Sequence, residues 1–413
     1  MTEENRLLYN ERWERIKTAV ALEEADRVPF VPKMGNFVSS GYGLNIYDHM
    51  KDARNIEPCL RRFLADYAPD MMWPVVTYPI DECEMLGAQY VRFPGPGSNI
   101  PLTASFQILD GTYMEDDEFD EFLLDPTHFM LTKVMPRKNK HMTPLSKLYF
   151  REIYDYSVLM EIAVLAEDDV QKALRSLMKA GELGKRRAAE MKYLFNMVED
   201  LGFPHRGGTI LVPFDSYADS LRGLVQSVLD VKMYPEETLA CVDRIEQMNT
   251  KRTIEMAKQR GDKFLYIPMH AGTDEFMSPA DYEKFYWPGL KRTIEGIVDA
   301  GLIPYVFCEG KYNTRLETLR DVPKGKVVYL FEQVDIAKAK KVLGDVACIC
   351  GNLSSTLLAH GTPEQVTEKT KELIDICAPG GGFIMDCSIV VDVATHANFA
   401  AWHDTTLSYG VYR

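Results

Sequence analysis

The feature that most restricts the fold of this chain is an alternation of long helical patterns and short apolar runs from about residue 160 onward. Helical patterns cover 168–201, 235–260, 279–300, 335–343 and 363–377. The apolar runs are rich in β-branched and aromatic residues: TILVPFDS (209–216), KFLYIPMHAG (263–272), LIPYVFCEG (302–310), KVVYLFEQ (326–333), DVACICGN (345–352) and GGFIMDCS (381–388). Apolar strands separated by helices are typical of a parallel sheet buried on both faces.

More than five such units in one chain favour a (β/α)8 TIM barrel over an open doubly wound sheet. No Gly-x-Gly-x-x-Gly motif opens a helix after one of these strands, which argues against a dinucleotide-binding fold. An amphipathic helix is predicted over 7–24, before an extended segment at 27–32. We predict one α/β barrel domain over 1–413, with an N-terminal insertion and a mid-chain insertion over about 105–160.

Composition and charge narrow the class of protein. Of the 413 residues, 46% are hydrophobic and 26% are charged, as in ordinary globular proteins, and no apolar stretch of about 18 residues predicts a membrane span. A net charge of −14 argues against nucleic-acid binding. Eight cysteines are too few for a disulfide framework, and the charged N-terminus is unlike a signal peptide. We expect a soluble, cytoplasmic protein with no nucleic-acid or membrane partner.

Potential metal ligands stand at the ends of five successive predicted strands. In such barrels the functional site lies at the carboxyl ends of the strands. Each residue alone is more often structural, a buried cysteine or a hydrogen-bonded histidine, but together they favour a Zn²⁺ site, which usually takes three protein ligands. The strand-end residues are His270, Cys308 with Glu309, Glu332, Cys350 and Cys387.

The chain resembles the uroporphyrinogen decarboxylase superfamily over most of its length. That resemblance implies a distorted (β/α)8 barrel, in agreement with the alternation above. The stretches that carry it are RVPF (27–30), GGTILVPFDSYADSLRGLVQSVLDVKMYP (207–235), MSPADY (277–282), LIPYVFCEG (302–310), GNL (351–353) and GTPE (361–364).

Two motifs of the decarboxylases in this superfamily are altered here. Their Arg-Gln-Ala-Gly-Arg motif, whose arginines bind the tetrapyrrole, corresponds to KMGNF at 33–37. Their Phe-Asp-Ser-Trp-Ala-Gly motif corresponds to IPMHAG at 267–272, where Pro268 takes the place of the acid. A substrate with several carboxylates would lack cationic partners. We therefore do not expect decarboxylation of uroporphyrinogen.

The other main branch of the superfamily holds zinc-dependent, corrinoid-linked methyltransferases. Those that methylate coenzyme M carry a His-x-Cys pair and a distant second cysteine. Here Cys308 and Cys387 match the cysteines, but Val306 replaces the histidine. The first-step methyltransferases of O-demethylase systems vary their ligands, and with Cys308, Glu332 and Cys350 the chain is most similar to that group. Either Cys350 or Cys387 completes the implied zinc site.

The resemblance also implies partners. The chain lacks the Asp-x-His-x-x-Gly motif with which corrinoid proteins ligate cobalt, so the cobalamin is expected on a separate corrinoid protein that docks over the barrel mouth. Dimers are common in the family, so a homodimer is also expected.

We predict a methyltransferase that moves a methyl group from a methylated small molecule, a phenyl methyl ether in the first instance, to Co(I) of that partner. Zn²⁺ on the ether oxygen would stabilise the developing charge, and His270 or Glu309 would donate a proton. The predicted substrate-binding residues are Asn36, Met72, Trp73, Tyr305 and Phe307.

Three alternatives remain open at this point. One is a metal-independent decarboxylase with an altered substrate. Another keeps the zinc and corrinoid chemistry but uses a methylthiol or methylamine as methyl donor. The last is a non-catalytic protein that binds a tetrapyrrole or corrinoid.

Overall fold

The structure is a computed structural model that describes residues 1–73, 78–150 and 160–412. A parallel sheet forms its centre, with strands in the order β3–β4–β5–β6–β7. A separate antiparallel pair, β1 and β2, joins Val91 to Ile108. The strands are β1 (Val91–Arg92), β2 (Gln107–Ile108), β3 (Phe264–Met269), β4 (Ile303–Cys308), β5 (Val328–Phe331), β6 (Cys348–Cys350) and β7 (Phe383–Ile384).

Helices connect consecutive strands of the parallel sheet, as a parallel arrangement requires. The α-helices are α1 (Glu3–Val20), α2 (Phe37–Ser40), α3 (Ile46–Lys51), α4 (Glu57–Tyr67), α5 (Ile80–Leu86), α6 (Phe119–Leu124), α7 (Pro126–Phe129), α8 (Met135–Lys138), α9 (Asp168–Asp200), α10 (Pro213–Tyr217), α11 (Leu224–Met233), α12 (Pro235–Arg260), α13 (Pro279–Asp281), α14 (Trp287–Asp299), α15 (Leu316–Leu319), α16 (Ile336–Leu343), α17 (Ser355–His360), α18 (Pro363–Cys377) and α19 (His396–Tyr409). Three π-helical turns lie at Met130–Val134, Ala218–Arg222 and Tyr282–Tyr286, and 3₁₀ segments lie at Ala53–Ile56, Lys140–Lys147 and Ile162–Ala166.

The helical patterns of the second half are confirmed almost residue for residue because their ends carry capping signals. α12 begins at Pro235, in the first turn where a proline costs no hydrogen bond, and ends before Gly261 in a left-handed conformation. α18 begins at a capping box between Thr362 and Gln365. The pattern over 279–300 is helical throughout, with a π turn between α13 and α14.

Five of the six predicted strands are confirmed, in shorter form, as β3 to β7. The prediction for 209–216 is wrong over its second half, because Pro213 starts α10 there. Before that helix, the segment contacts the sheet through one parallel bridge, between Thr209 and Tyr266 of β3. A proline at the first helical position and an aspartate in the first turn both favour helix over strand.

Single parallel bridges extend the pairing beyond both edges of the five-stranded sheet. Phe30 pairs with Met385 just after β7, and Met72 pairs with His205. The backbone N–H of Asp70 also donates to the carbonyl of Phe30. The structure thus establishes a mixed α/β fold with a parallel five-stranded sheet, and the complete eight-stranded barrel stays a prediction.

A buried ionic network fixes the N-terminal helix to the extended segment that follows it. Asp70 is fully buried and accepts from Arg15, Arg27 and the backbone N–H of Phe30. The predicted helix over 7–24 lies at Glu3–Val20 and packs Trp13 edge-on against Phe264 of β3. This network holds residues 27–34 alongside β7, which brings the next residues to the carboxyl ends of the strands.

The described part of the predicted insertion over 105–160 contains β2 and several short helices, and residues 151–159 lie outside the described residues. Met142, Leu145 and Leu148 form a small hydrophobic cluster with Val170 and Ala173 at the start of α9. That cluster is separate from the main hydrophobic core. The prediction of a single domain over 1–413 is not decided by this separation and stays a prediction. Among the helices of the described residues, none is both long and apolar enough to cross a membrane.

Candidate functional site

A cleft of about 700 Å³ lies beyond the carboxyl ends of β3 and β4. Its wall combines aromatic rings, two basic side chains and a histidine: Lys33, Trp73, Arg206, Tyr266, His270 and Phe307. Gly35 lets the loop at 33–37 form one side, because a Cβ there would overlap the side chains of Val390 and Asp392. We refer to this space as the cleft.

His270, directly after β3, is held by two carboxylates from one helical run. Its Nδ1 lies 2.8 Å from Asp219 Oδ2, and its backbone N–H donates to Asp215 at 3.0 Å. Asp215 and Asp219 are four residues apart, on α10 and the π turn after it, so they share one helix face. The other ring nitrogen, Nε2, lies 3.8 Å from Glu309 Oε2 beside the cleft.

These carboxylates favour the charged form of His270. Partial burial alone would lower the pKa of the imidazole, but the hydrogen bond to Asp219 and the charges of Asp215, Asp219 and Glu309 outweigh it and raise the pKa to about 9. At neutral pH the ring is therefore an imidazolium with Nδ1–H bound to Asp219. Its Nε2–H is positioned to donate to a ligand.

Asp215 is buried behind His270. It accepts hydrogen bonds from the backbone N–H groups of His270 and Ala271 and from the hydroxyl of Tyr286. Burial raises its pKa to about 6, against the stabilising effect of His270 and these donors. Asp215 thus fixes the turn after β3 that aims His270 at the cleft.

Lys33 lies inside an aromatic cage within the cleft. Its ammonium is 3.2 Å from the ring centroid of Phe307, 5.1 Å from that of Tyr266 and 5.8 Å from that of Trp73. Burial lowers the pKa of Lys33 to about 7, although Glu309 and Asp386 partly offset the effect. Cation–π contacts offset part of the cost of burying this charge.

Arg206 lies against two of the same rings. Its guanidinium carbon is 4.8 Å from the centroid of Trp73 and 4.4 Å from that of Tyr266. Burial lowers its pKa to about 10, so it stays charged at neutral pH. Two buried basic side chains therefore face one cleft.

The structure brings some of the sequence-predicted residues to the cleft and leaves others outside its wall. His270, Glu309, Asn36, Trp73 and Phe307 line it. The remaining two substrate-binding candidates are buried behind this wall. Met72 lies beside Trp73 and pairs with His205, and Tyr305 points its hydroxyl at Cys350, 2.8 Å from the thiol. The roles proposed for all of these residues stay predictions.

The four predicted metal ligands do not converge on one point. Cys308 is fully buried on the opposite face of β4 from Tyr305 and Phe307, because side chains alternate along a strand. Its thiol lies 4.0 Å from the sulfur of Met269, and burial raises its pKa well above the usual value. Glu332 is held in the loop after β5, where it accepts from the backbone N–H of Gly310 at 2.6 Å.

Cys350 lies on the opposite face of the sheet from Cys308, and Cys387 follows β7 directly after Asp386. Cys350 is 3.9 Å from Asp386 Oδ2, whereas Cys387 donates its backbone N–H to the same carboxylate. Burial raises the pKa of both thiols, that of Cys387 to about 12. Across residues 1–73, 78–150 and 160–412, no three His, Cys, Asp or Glu side chains are grouped to hold a metal ion. The donor set does not fit a zinc ion, and we derive no step through one.

Sequence reasoning missed four residues of this site: Lys33, Arg206, Asp215 and Asp219. Lys33 opens the run that corresponds to the arginine motif of the decarboxylases, so a basic residue at that place was a usable signal. The spacing of the two aspartates within PFDSYADS predicts a shared helix face, once that segment is taken as helical. For Arg206 the sequence carries no comparable signal.

Comparison with known proteins finds similarity to one family over the second half of the chain. The uroporphyrinogen decarboxylase (URO-D) family model matches residues 213–404, which include β3 to β7 and His270. The match covers less than half of the chain, which is thus similar to this family over its second half. This similarity agrees with the resemblance found in the sequence.

Individual relatives match over shorter stretches. The uroporphyrinogen decarboxylase of Citrifermentans bemidjiense is 30% identical over 153 residues, which is 37% of this chain and 43% of the relative. That of Chlorobaculum tepidum is 32% identical over 99 residues, 24% of this chain and 28% of the relative. The matched stretches thus span less than half the length of these curated relatives.

A solved structure extends the likeness to nearly the whole chain. A methyltransferase from Methanosarcina mazei superposes with a TM-score of 0.60 over 96% of this chain and 98% of its own, at 13% sequence identity. At that identity the likeness concerns the fold.

Proposed function

We propose that this protein is a methyltransferase that transfers a methyl group from a phenyl methyl ether to Co(I) of a corrinoid carried by a separate protein. The observation that carries the proposal is the position of His270, whose Nδ1 lies 2.8 Å from Asp219 Oδ2 at the wall of a cleft lined with aromatic rings. The likeness of fold to a methyltransferase, over almost the full length of both chains, supports the same reaction class. The proposal also includes a complete eight-stranded barrel, of which the parallel five-stranded sheet would be part.

In the proposed step the electron pair of Co(I) attacks the ether methyl carbon and forms the Co–C bond. The electrons of the breaking C–O bond remain on the phenolic oxygen. His270 donates its Nε2 proton to that oxygen, so the products are a phenol and a methylated Co(III) corrinoid. Protonation of a leaving oxygen by a positioned acid contributes about 10²- to 10⁴-fold to a rate.

The chain supplies the remaining requirements through its own residues. Asp219 keeps the acid charged and correctly oriented, and Asp215 fixes the backbone of the turn. Trp73, Tyr266 and Phe307 offer aromatic faces to the ring of the ether. The corrinoid partner, and a homodimer of this chain, are part of the proposal. The zinc ion stays a sequence-based prediction, which elemental analysis of the purified protein tests.

The test follows the methylation of cob(I)alamin by its absorbance, with 4-methoxybenzoate as methyl donor. His270→Gln should lower the rate about 100-fold or more, because the general acid is lost. His128→Gln, a change at a histidine outside the cleft, should leave the rate unchanged. The parent rate should also fall as pH rises through about 9, the pKa of His270. A His270→Gln variant with the parent rate would refute the proposed role.

A second candidate is a metal-independent decarboxylase. It is favoured by two buried basic groups in the cleft, which suit a carboxylate substrate, and by the names of the curated relatives. The decarboxylase hypothesis predicts release of carbon dioxide from a carboxylated substrate in the absence of any corrinoid. Measurement of carbon dioxide alongside methyl transfer separates the two functions.

A further inference from the structure

Lys33 places a buried amine without an acidic partner at the wall of the cleft. The residue is 5% exposed and lines the cleft. Asp386, a carboxylate close by, accepts from the backbone N–H of Lys33 and not from its ammonium. Within the described residues, no ion pair and no hydrogen bond uses that ammonium. A buried charge without a partner is costly, so this environment favours loss of the proton.

The groups that surround the Lys33 nitrogen are mainly apolar or positively charged. The nitrogen lies 3.2 Å from the ring centroid of Phe307 and 5.1 Å from that of Tyr266. Arg206 contacts the same Tyr266 ring, with its guanidinium carbon 4.4 Å from the centroid. Burial lowers the pKa of Lys33 to about 7 and the charge of Arg206 adds to this effect, against the charge of Glu309. Cation–π contacts favour the protonated form but do not replace a bound carboxylate.

An amine in this environment is a nucleophile near neutral pH. At pH 7 about half of Lys33 is neutral, whereas fewer than about one in 10³ lysines with the ordinary pKa are. Lysines become reactive towards carbonyl carbons when they are desolvated in an apolar pocket or lie beside a second cation. Lys33 meets both conditions, and the cleft of about 700 Å³ has room for an aromatic ligand beside it.

We propose that Lys33 forms an imine with an aromatic aldehyde that binds in the cleft. The neutral Nζ bonds to the carbonyl carbon, the electrons of the C=O π bond move to the oxygen, and a proton passes from nitrogen to oxygen. A second proton, taken up from solvent, lets the oxygen leave as water while the nitrogen lone pair forms the C=N bond. The products are a protonated imine and one water molecule. Tyr266 and Phe307 flank the ring of the aldehyde.

The imine gives the proposed methyl transfer a covalent form of activation, and in this respect the inference rests on the proposed function. The aldehyde is then the methyl donor, with its methoxy group para to the carbonyl carbon. A protonated imine withdraws electrons through the ring and stabilises the negative charge that develops on the phenolic oxygen. Stabilisation of charge that appears in the transition state lowers the barrier. Hydrolysis of the imine afterwards returns the amine and releases 4-hydroxybenzaldehyde.

Reductive trapping tests the imine in the absence of methyl transfer. The protein is incubated at pH 7 with 4-methoxybenzaldehyde and cyanoborohydride, which reduces an imine to a stable secondary amine. Peptide mass spectrometry then identifies the modified lysines. Lys33 should react about tenfold or more faster than any other lysine, because its neutral fraction is far larger.

Lys340 is an internal control for this experiment. Burial lowers its pKa as well, but its ammonium donates to the carbonyl of Gly381 and it does not line the cleft. Lys340 should therefore react no faster than the exposed lysines. Modification spread evenly over the lysines, or none at Lys33, would overturn the proposal.

Variants connect the imine to methyl transfer. The rate of cob(I)alamin methylation is measured with 4-methoxybenzaldehyde and with 4-methoxybenzyl alcohol, which keeps the ring and the ether but has no carbonyl group. Lys33→Arg keeps a positive charge and should lower the aldehyde rate about tenfold or more, while the alcohol rate stays within about threefold. Lys340→Met should change neither rate. Equal losses for both donors would overturn the covalent activation. If Lys33→Arg does not fold, as judged by its thermal melting, trapping in the parent decides alone.

The two proposals fail in different ways. If Lys33 is trapped but no ether methylates cobalamin, the methyltransferase proposal fails and the imine stands. If cobalamin is methylated at equal rates by the aldehyde and the alcohol and Lys33 is not trapped, the imine fails and the methyltransferase proposal stands.

Discussion

The hydrogen bond between His270 and Asp219 gives the most informative prediction, because it sets the charge of the proposed acid. Asp219→Asn keeps the shape of the side chain but removes its charge, so the 2.8 Å contact with Nδ1 becomes a neutral hydrogen bond. A hydrogen bond to a charged group contributes about 1.5–3 kcal/mol, against about 0.5–1.5 for a neutral one. The change therefore removes about 1–1.5 kcal/mol from the stability of the imidazolium.

One pKa unit corresponds to about 1.4 kcal/mol, so the pKa of His270 should fall by about one unit from its value of about 9. The imidazole is 34% exposed, and solvent screening favours the lower end of that range. The assay is an NMR titration of the His270 ring protons in the parent and in Asp219→Asn. His128→Gln is a matched control that removes another histidine signal and should leave the titration of His270 in place. An unchanged or raised pKa in Asp219→Asn would refute this account of the acid.

Three further predictions concern stability. Cys308→Ala should lower the unfolding free energy measured in urea by about 1 kcal/mol and leave turnover unchanged, because the thiol packs away from the cleft. Loss of turnover together with loss of bound zinc would contradict this and support the predicted metal site. Asp70→Asn should lower the unfolding free energy in the same assay by about 3 kcal/mol or more, since it leaves Arg15 and Arg27 without their buried carboxylate partner. A loss of less than about 1 kcal/mol would contradict this role of Asp70. Because the pKa of His270 is raised, its contribution to stability is complete below its unfolded pKa of about 6.5 and disappears as pH rises through about 9. His270→Gln should therefore reduce the fall in melting temperature between about pH 6.5 and about pH 9. An identical fall in the variant and the parent would contradict the raised pKa.

The helices and strands of the second half could be predicted from the sequence because local signals and periodicity agree there. α12 matches its predicted range of 235–260, since Pro235 and Gly261 mark its ends. The strand prediction for 209–216 was wrong over its second half because two local signals conflict there, an apolar run and a proline that starts a helix. The apolar run predicted a strand, and the proline determined the structure.

The sequence predicted where in the fold the candidate site lies, but it did not predict all of the residues that line it. That the site lies after β3 and β4 follows from the general rule for parallel strands, and His270, Glu309 and Phe307 line the cleft accordingly. That Cys308 packs away from the cleft was not predictable, because the end of a strand does not reveal which face its last residue occupies. The alternation of Tyr305 and Phe307 with Val306 and Cys308 contained that information, but only after one residue's face is known. Arg206 reaches the cleft through tertiary packing, which no local pattern encodes.

The most direct test of the central claim follows the methyl group itself. The protein is incubated anaerobically with cob(I)alamin and 4-methoxybenzoate carrying a deuterated methoxy methyl, and the products are identified by mass spectrometry. The account predicts trideuteromethyl-cobalamin and 4-hydroxybenzoate in equal amounts, with little of either from His270→Gln. Unlabelled cobalamin together with released carbon dioxide and methoxybenzene would contradict it and identify a decarboxylase.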